Sequence, residues 1–377
     1  MKNKKKIKIK PSTSMVMMIL IGIACGLSMS FIGNMAFGEE NRIFAFFFQA
    51  VVIIAAYLLH LIVHEVGHLV AGLMSGYEFG SFRIGSIMLV KDEGKIKIKK
   101  NSVAGTGGQC LMNIPDSFGE DYPVVFYNLG GVLMNILVSL IFIALAAVFS
   151  EYSFALSVFL MSALSGFIVA ATNGIPLKLD LLNNDGSNAR ELYKNKEAKR
   201  AFYNQFKIIE NASKGIRFRN MDENLFTPPS EEGLRDNSIS ASAAIFCENR
   251  LIDEGRFDEA LELINKLLRG KNALVGLYKN LLVSDKITIL LLKQEKLDIA
   301  EQYYTNAQYK AFAKQMGTNI SILRTDYAYM LLHKKDEDVA KKALEKFDAA
   351  CKMHPYQPDI DSEREIIELI KAKYSEI

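Results

Sequence analysis

The chain is poor in cysteine and, through its first half, in charge. Its four cysteines, Cys25, Cys110, Cys247 and Cys351, show no CxxC spacing, which argues against a disulfide framework and against a thiolate zinc site. They read as reduced structural thiols. The net charge of +3 is small, and the basic residues gather near the ends of apolar runs instead of forming one stripe, so no nucleic-acid partner is expected. Residues 1–186 hold 26 Asp, Glu, Lys and Arg, against 61 in residues 187–377. That scarcity gives the first half the composition of a lipid-embedded domain and leaves the second half with that of a soluble one.

Four charge-poor runs, about 15–37, 43–72, 123–150 and 153–177, reach or exceed the ~20 residues a helix needs to cross a bilayer. Six lysines precede the first run. Arg83, Lys91, Lys95, Lys97, Lys99 and Lys100 follow the second, and a Lys-rich segment follows the fourth. The remaining short loops carry one positive charge, Arg42, between them. By the positive-inside rule these loops face outward and both chain ends are cytoplasmic, in an integral multi-pass protein of a cell membrane, expected to be bacterial. A cleaved signal peptide, or a lipoprotein signal ending at Cys25, is the competing interpretation of the first run. The uncharged stretch from Pro11 to Gly38 is long for a signal core, and Gly22 is a poor residue three places before a lipidated cysteine.

Within the second run stand His64, Glu65, Val66, Gly67 and His68, with no other charged residue from Ile43 to Tyr77. Histidines at i and i+4 share a helical face, roughly 5–6 Å apart at Cβ, so both imidazoles reach one ion at ~2.0–2.1 Å. Glu65 then projects beside the metal as a base. The pentad occurs by chance in other helices, but an ionisable cluster in a membrane-grade segment is costly and marks a site. His60 lies on the same face. A straight helix cannot wrap imidazoles at 0, 4 and 8 around one tetrahedral ion, so His60 is expected to be a satisfied interior or pore-lining group.

The 78–121 loop is expected to form a membrane-associated β-hairpin insertion. Lys95 to Lys99 alternates Lys and Ile, and the stretch from Phe79 to Val90 is strand-like around Gly80 and Gly85. Gly105, Gly107 and Gly108 allow a close backbone approach. A sheet edge there would add an extended substrate as a further strand; the plainer alternative is a hairpin at the membrane surface.

A catalytic zinc wants three protein ligands and an open position, so the pentad lacks one. Asn173, Gly174, Ile175 and Pro176 break the fourth run near its cytoplasmic end, and Asn184, Asp185 and Gly186 follow. Asp180 and Asp185 compete for the third position.

The pentad on an early span, with an Asn-x-x-Pro and an Asp-Gly element on a later one, resembles the site-2 protease family of intramembrane zinc metalloproteases. The resemblance covers roughly residues 43–190. It implies zinc held by His64, His68 and Asp185, with Glu65 as general base in hydrolysis of membrane-embedded or membrane-anchored proteins and peptides. The nine residues from Pro176 to Asp185 exceed the usual gap; Asp180 is nearer that distance but precedes leucine, and is the runner-up. Gly130, Gly131 and Asn135 resemble a family element that lines the substrate cleft, and Asn173, Gly107 and Gly108 join Asn135 as candidate cleft residues. Small residues and Asn also pack membrane helices without any catalytic role, and Asn173 could merely cap its broken helix.

From about residue 238 a 40-residue repeat is visible. Leu251, Ile252 and Asp258 to Ala260 recur as Leu291, Leu292 and Asp298 to Ala300, then as Leu331, Leu332 and Asp338 to Ala340. The pattern is that of tetratricopeptide-like helical hairpins with a concave face for a protein partner; a plain helical bundle is the alternative. The expected organisation is thus an α-helical polytopic membrane protein. It comprises a transmembrane metalloprotease domain over 1–186, a linker with a connecting helix over 187–237, and an all-α repeat domain over 238–377. The competing functional classes are a catalytically inactive membrane scaffold acting through its repeats, and a zinc-handling or transport protein.

Overall fold

The computed structural model describes residues 13–92, 95–103, 105–116, 122–177 and 181–377. The described residues fold mainly as helices, with one small antiparallel sheet, and divide into two compact units. One holds the described chain up to Gly67 with 129–177 and 184–187; the other holds 68–128 with 181–183 and everything from 188 onward.

Among the described residues, four helices are long and apolar enough to cross a membrane: α1 (Thr13–Phe37), α2 (Arg42–Met74), α3 (Val124–Val148) and α4 (Ser153–Gly174). Outward side chains such as Phe31, Phe47, Val51 and Leu137 are more than half exposed. A band of this kind has no place in water and is compatible with a membrane protein. Inside the first unit, Phe37, Phe44, Phe48 and Phe154 interlock with ring centroids 5.2–6.1 Å apart, tying the ends of α1, α2 and α4 together.

The second unit carries β1 (Glu78–Ile84), β2 (Ile87–Asp92), β3 (Lys95–Lys100) and β4 (Gly108–Asn113), ordered β3-β2-β1-β4 and antiparallel throughout. This corrects the expected hairpin, because two features split and extend it. Gly85 has φ +58° and lets β1 turn directly into β2. The segment after Gly105 then returns to pair β4 with β1, Arg83 facing Gln109 across the ladder. Buried Arg83 locks that return by donating from Nη1 to Gly85 O (2.6 Å) and from Nη2 to Gly108 O (3.2 Å). Of the two edges, β3 is the exposed one, with Ile96 and Ile98 64% and 69% exposed between its lysines.

Residues 187–237, expected as a linker with a connecting helix, carry most of α5 (Asp185–Leu192), with α6 (Lys196–Ser213) and α7 (Glu231–Asp236). Leu192, Ala198, Phe202 and Phe206 are buried in one core with Tyr77, Met112 and Tyr127, so this stretch clamps the sheet.

The remaining helices are α8 (Ser238–Asp253), α9 (Phe257–Arg269), α10 (Gly276–Lys293), α11 (Leu297–Thr305), α12 (Ala307–Gln315), α13 (Ile320–Ala328), α14 (Glu337–Cys351) and α15 (Gln357–Glu376). A π-turn at Tyr329–His333 prolongs α13. Helices α8 and α9, α10 and α11, and α13 and α14 pair as successive hairpins. Their turns carry positive φ at Gly255, at Gln294 and Lys296, and at Lys335. Just after each turn, Ala260, Ala300 and Ala340 are at most 1% exposed, small enough to let the second helix of each pair lie close to the first.

Candidate metal centre

Helix α2 presents His64 and His68 one turn apart, both less than one-tenth exposed, with Glu65 buried between them. Side-chain atoms of His64, His68 and Asp185 that can ligate a metal all lie within 4.8 Å of one another. Among the described residues no other set of three such side chains converges in this way. Asp180 lies outside the described residues.

Close helix contact makes room for the first imidazole. A Cβ on Gly67 would stand 2.4 Å from Gly130 O, and one on Gly131 would stand 2.6–2.7 Å from three atoms of the His64 ring. Both are below any real Cβ contact, so α2 and α3 meet here only because these positions are glycine.

Asp185 is positioned by its neighbour. Asn184 is buried and spends its whole amide on the turn after α4: Oδ1 accepts from Leu177 N (3.1 Å) and Ser187 N (3.0 Å), while Nδ2 donates to Thr172 O (2.8 Å) and Ile175 O (2.6 Å). Gly186 completes the turn, since a Cβ there would fall 2.1 Å from Gly174 O. Asp185 therefore opens α5 with Oδ2 at 2.8 Å from His64 Nε2. Sequence reasoning names Asn184 beside the candidate ligand but gives it no role; an Asn directly before Asp185, eight residues after a helix-breaking Pro, is the signal it offers. Replacing Asn184 with alanine removes four bonds of ~0.5–1.5 kcal/mol each, so a loss of roughly 2–6 kcal/mol is expected, with weakened metal retention. Thermal unfolding with and without zinc checks this.

The hydrogen bonds behind the imidazoles bear on whether a metal fits. His68 Nδ1 lies 2.9 Å from Tyr127 O. A carbonyl only accepts, so Nδ1 carries the proton and Nε2 keeps its lone pair for an ion. His60 Nε2 is 3.0 Å from Ser162 O and must likewise donate. A neutral His60 then accepts at Nδ1, 3.0 Å from the Asn135 amide, whose other end is 3.0 Å from His64 Nδ1. In the structure the amide oxygen faces His60 Nδ1 and the NH2 faces His64 Nδ1; a His60 that donates from Nε2 and accepts at Nδ1 requires the amide turned over, and its oxygen then accepts from His64 Nδ1 and leaves the Nε2 lone pair for a ligand bond. Ligand atoms on a tetrahedral zinc are about 3.4 Å apart, given bonds of ~2.0–2.1 Å. The 2.8 Å His64–Asp185 contact therefore needs to open by roughly half an ångström to admit the ion. The donor set of two imidazoles and one carboxylate fits zinc.

No family model, curated protein or solved structure matches this chain.

The other candidate cleft residues are placed differently. Asn135 is fully buried between His60 and His64. Asn173 donates from Nδ2 to Val169 O (2.9 Å) within its own helix. Gly107 accepts from Gly85 N (2.8 Å) and Gly108 begins β4, so both serve the ladder between β1 and β4. His60 carries two hydrogen bonds and stands outside the converging set.

Proposed function

We propose that the protein is an intramembrane zinc metalloprotease resembling the site-2 protease family, with His64, His68 and Asp185 as zinc ligands and Glu65 as general base. The observation that carries this reading is the convergence of His64 and His68, on a helix apolar enough to span a bilayer, with Asp185 at the start of α5, beside Glu65. Bound zinc would supply a water acidified toward ~7 and would polarise the scissile carbonyl. Glu65 takes the proton of the attacking water and returns it to the leaving amine. Asn135 sets the His64 tautomer, and Tyr127 O sets that of His68. Asn184 holds Asp185 in reach.

Substrates are membrane-embedded or membrane-anchored polypeptides, which must be locally unwound because a helix hides its carbonyls in its own hydrogen bonds. The exposed edge of β3, the outer strand of the sheet, is suited to hold such an unwound segment. Both termini are assigned to the cytoplasm, and the C-terminal hairpins are assigned to a tetratricopeptide-like domain that binds a substrate or regulator.

Zinc content tests the assignment. Purified protein is expected to hold one zinc per chain, lost in His64→Ala and Asp185→Ala and kept in Asp180→Ala. Zinc unchanged in either of the first two variants would overturn the ligand set.

A further inference from the structure

The C-terminal helices enclose a cavity of about 210 Å³ whose wall carries more acid than base. Arg324 on α13, 1% exposed, is held between two carboxylates: Nη2 donates to Asp285 Oδ1 on α10 (2.6 Å), and Nη1 to Glu363 Oε2 on α15 (3.0 Å). Ser321 Oγ adds a bond to Glu363 Oε1 (2.6 Å). One guanidinium thus already answers two carboxylates.

Glu248 on α8 is the third carboxylate of this group. It lines the same cavity, is 1% exposed, and neither of its oxygens has a hydrogen-bond partner among the described residues. The other charged groups on the wall are engaged: Asp253 binds Arg217 and Arg219, and Asp359 binds His354. Burial pushes the Glu248 carboxyl well above its ordinary value, and the neighbouring Asp285 pushes the same way against the pull of Arg324. A carboxylate in such a place is costly unless something positive meets it.

Two observations narrow what that is. These carboxylates do not converge as the metal-ligating set does, so they do not form a cage for one ion. Ile245, Phe246, Ile252 and Leu281 supply apolar wall around them, and the volume falls below the ~300 Å³ at which pockets for drug-sized ligands begin. The space suits a group of side-chain size.

We propose that this cavity binds a single organic cation, a guanidinium or primary ammonium on a short apolar stem, with Glu248 as its counter-ion. Such a group is presented by an arginine or lysine side chain of a polypeptide, or by a free amine. The assignment rests on the C-terminal helices alone and stands or falls independently of the metal centre.

The test is calorimetric titration of the full-length, detergent-purified protein with agmatine, with a capped Gly-Ala-Arg-Ala-Gly peptide, and with the same peptide carrying citrulline. Saturable one-to-one binding of a cationic probe is expected, with the citrulline peptide weaker by about tenfold or more. Tighter binding of the arginine peptide than of agmatine assigns the cation to a polypeptide, and the reverse order assigns it to a free amine. Glu248→Gln is expected to weaken the cationic probe by about tenfold or more while raising the melting temperature of the unliganded protein, since it removes an unpaired buried acid. Three results would each overturn the proposal: no saturable binding of either cationic probe up to about 10 mM, equal binding of the citrulline peptide, or Glu248→Gln binding like wild type. A lowered melting temperature with unchanged binding would make Glu248 a structural residue.

Discussion

Protein carrying Glu65→Gln is expected to keep its zinc and to lose peptide hydrolysis by at least ~10²- to 10⁴-fold, the contribution typical of a positioned acid–base group. The two properties separate because Glu65 is not among the three converging ligands. Glutamine matches glutamate in size, so the packing of this buried position is retained. What disappears is the capacity to take a proton from the attacking water and to hand it to the leaving amine. The measurement is cleavage of a co-expressed membrane substrate, with zinc determined on the same preparation. If cleavage persists unchanged with zinc bound, the acid–base role of Glu65 is wrong. If no cleavage is found even in the wild type while zinc is bound, the inactive-scaffold reading gains.

Gly131→Ala is expected to damage the metal centre without touching a ligand. The methyl would arrive 2.6 Å from His64 Cε1 and 2.7 Å from its Nδ1 and Nε2. The imidazole lies on the bare backbone of α3, and Asn135 behind it limits its retreat. Either the ring moves off the ligand position or α2 and α3 separate. Overpacking of this kind costs ~1–3 kcal/mol, and disturbing a ligand's support typically lowers metal affinity about 10–100-fold. Gly26→Ala in α1 is the control, because a Cβ there meets nothing within 4 Å. Chelator competition and thermal unfolding of the two variants distinguish a local clash from a general intolerance of alanine.

The membrane-grade helices were legible because an uncharged run of this length can hardly be buried in a water-soluble domain of ordinary size. The second run, expected over 43–72, is a helix over Arg42–Met74, and the fourth, expected over 153–177, ends at Gly174 just before Pro176. The C-terminal pattern was legible for a similar reason: alanine at 260, 300 and 340 has a repeated packing role, and each is buried after a turn. The sheet was only half legible. Alternation marked β3, but the pairing of β4 with β1 is a long-range event that depends on the turn after Gly105, and no local period announces it.

The candidate site divides along the same line. His64 and His68 declare themselves by spacing on one helix. Which aspartate joins them depends on how the chain reverses after Pro176, and that path is held by the four bonds of Asn184, a residue type with many roles and no motif of its own. Asn135 was ambiguous between packing and function while its neighbours were unknown. The structure sets its amide between His60 and His64, 3.0 Å from Nδ1 of each ring.

The most direct test of proteolysis at this centre is a quantitative comparison, by mass spectrometry, of membrane-derived peptides in cells expressing the wild type and cells expressing Glu65→Gln at equal levels. The account predicts that one or more intact membrane proteins or peptides accumulate in the variant and that their cleavage products, with new termini inside or at the edge of an apolar segment, appear only with the wild type. Indistinguishable peptide populations, with both proteins present in the membrane and both loaded with zinc, would contradict it.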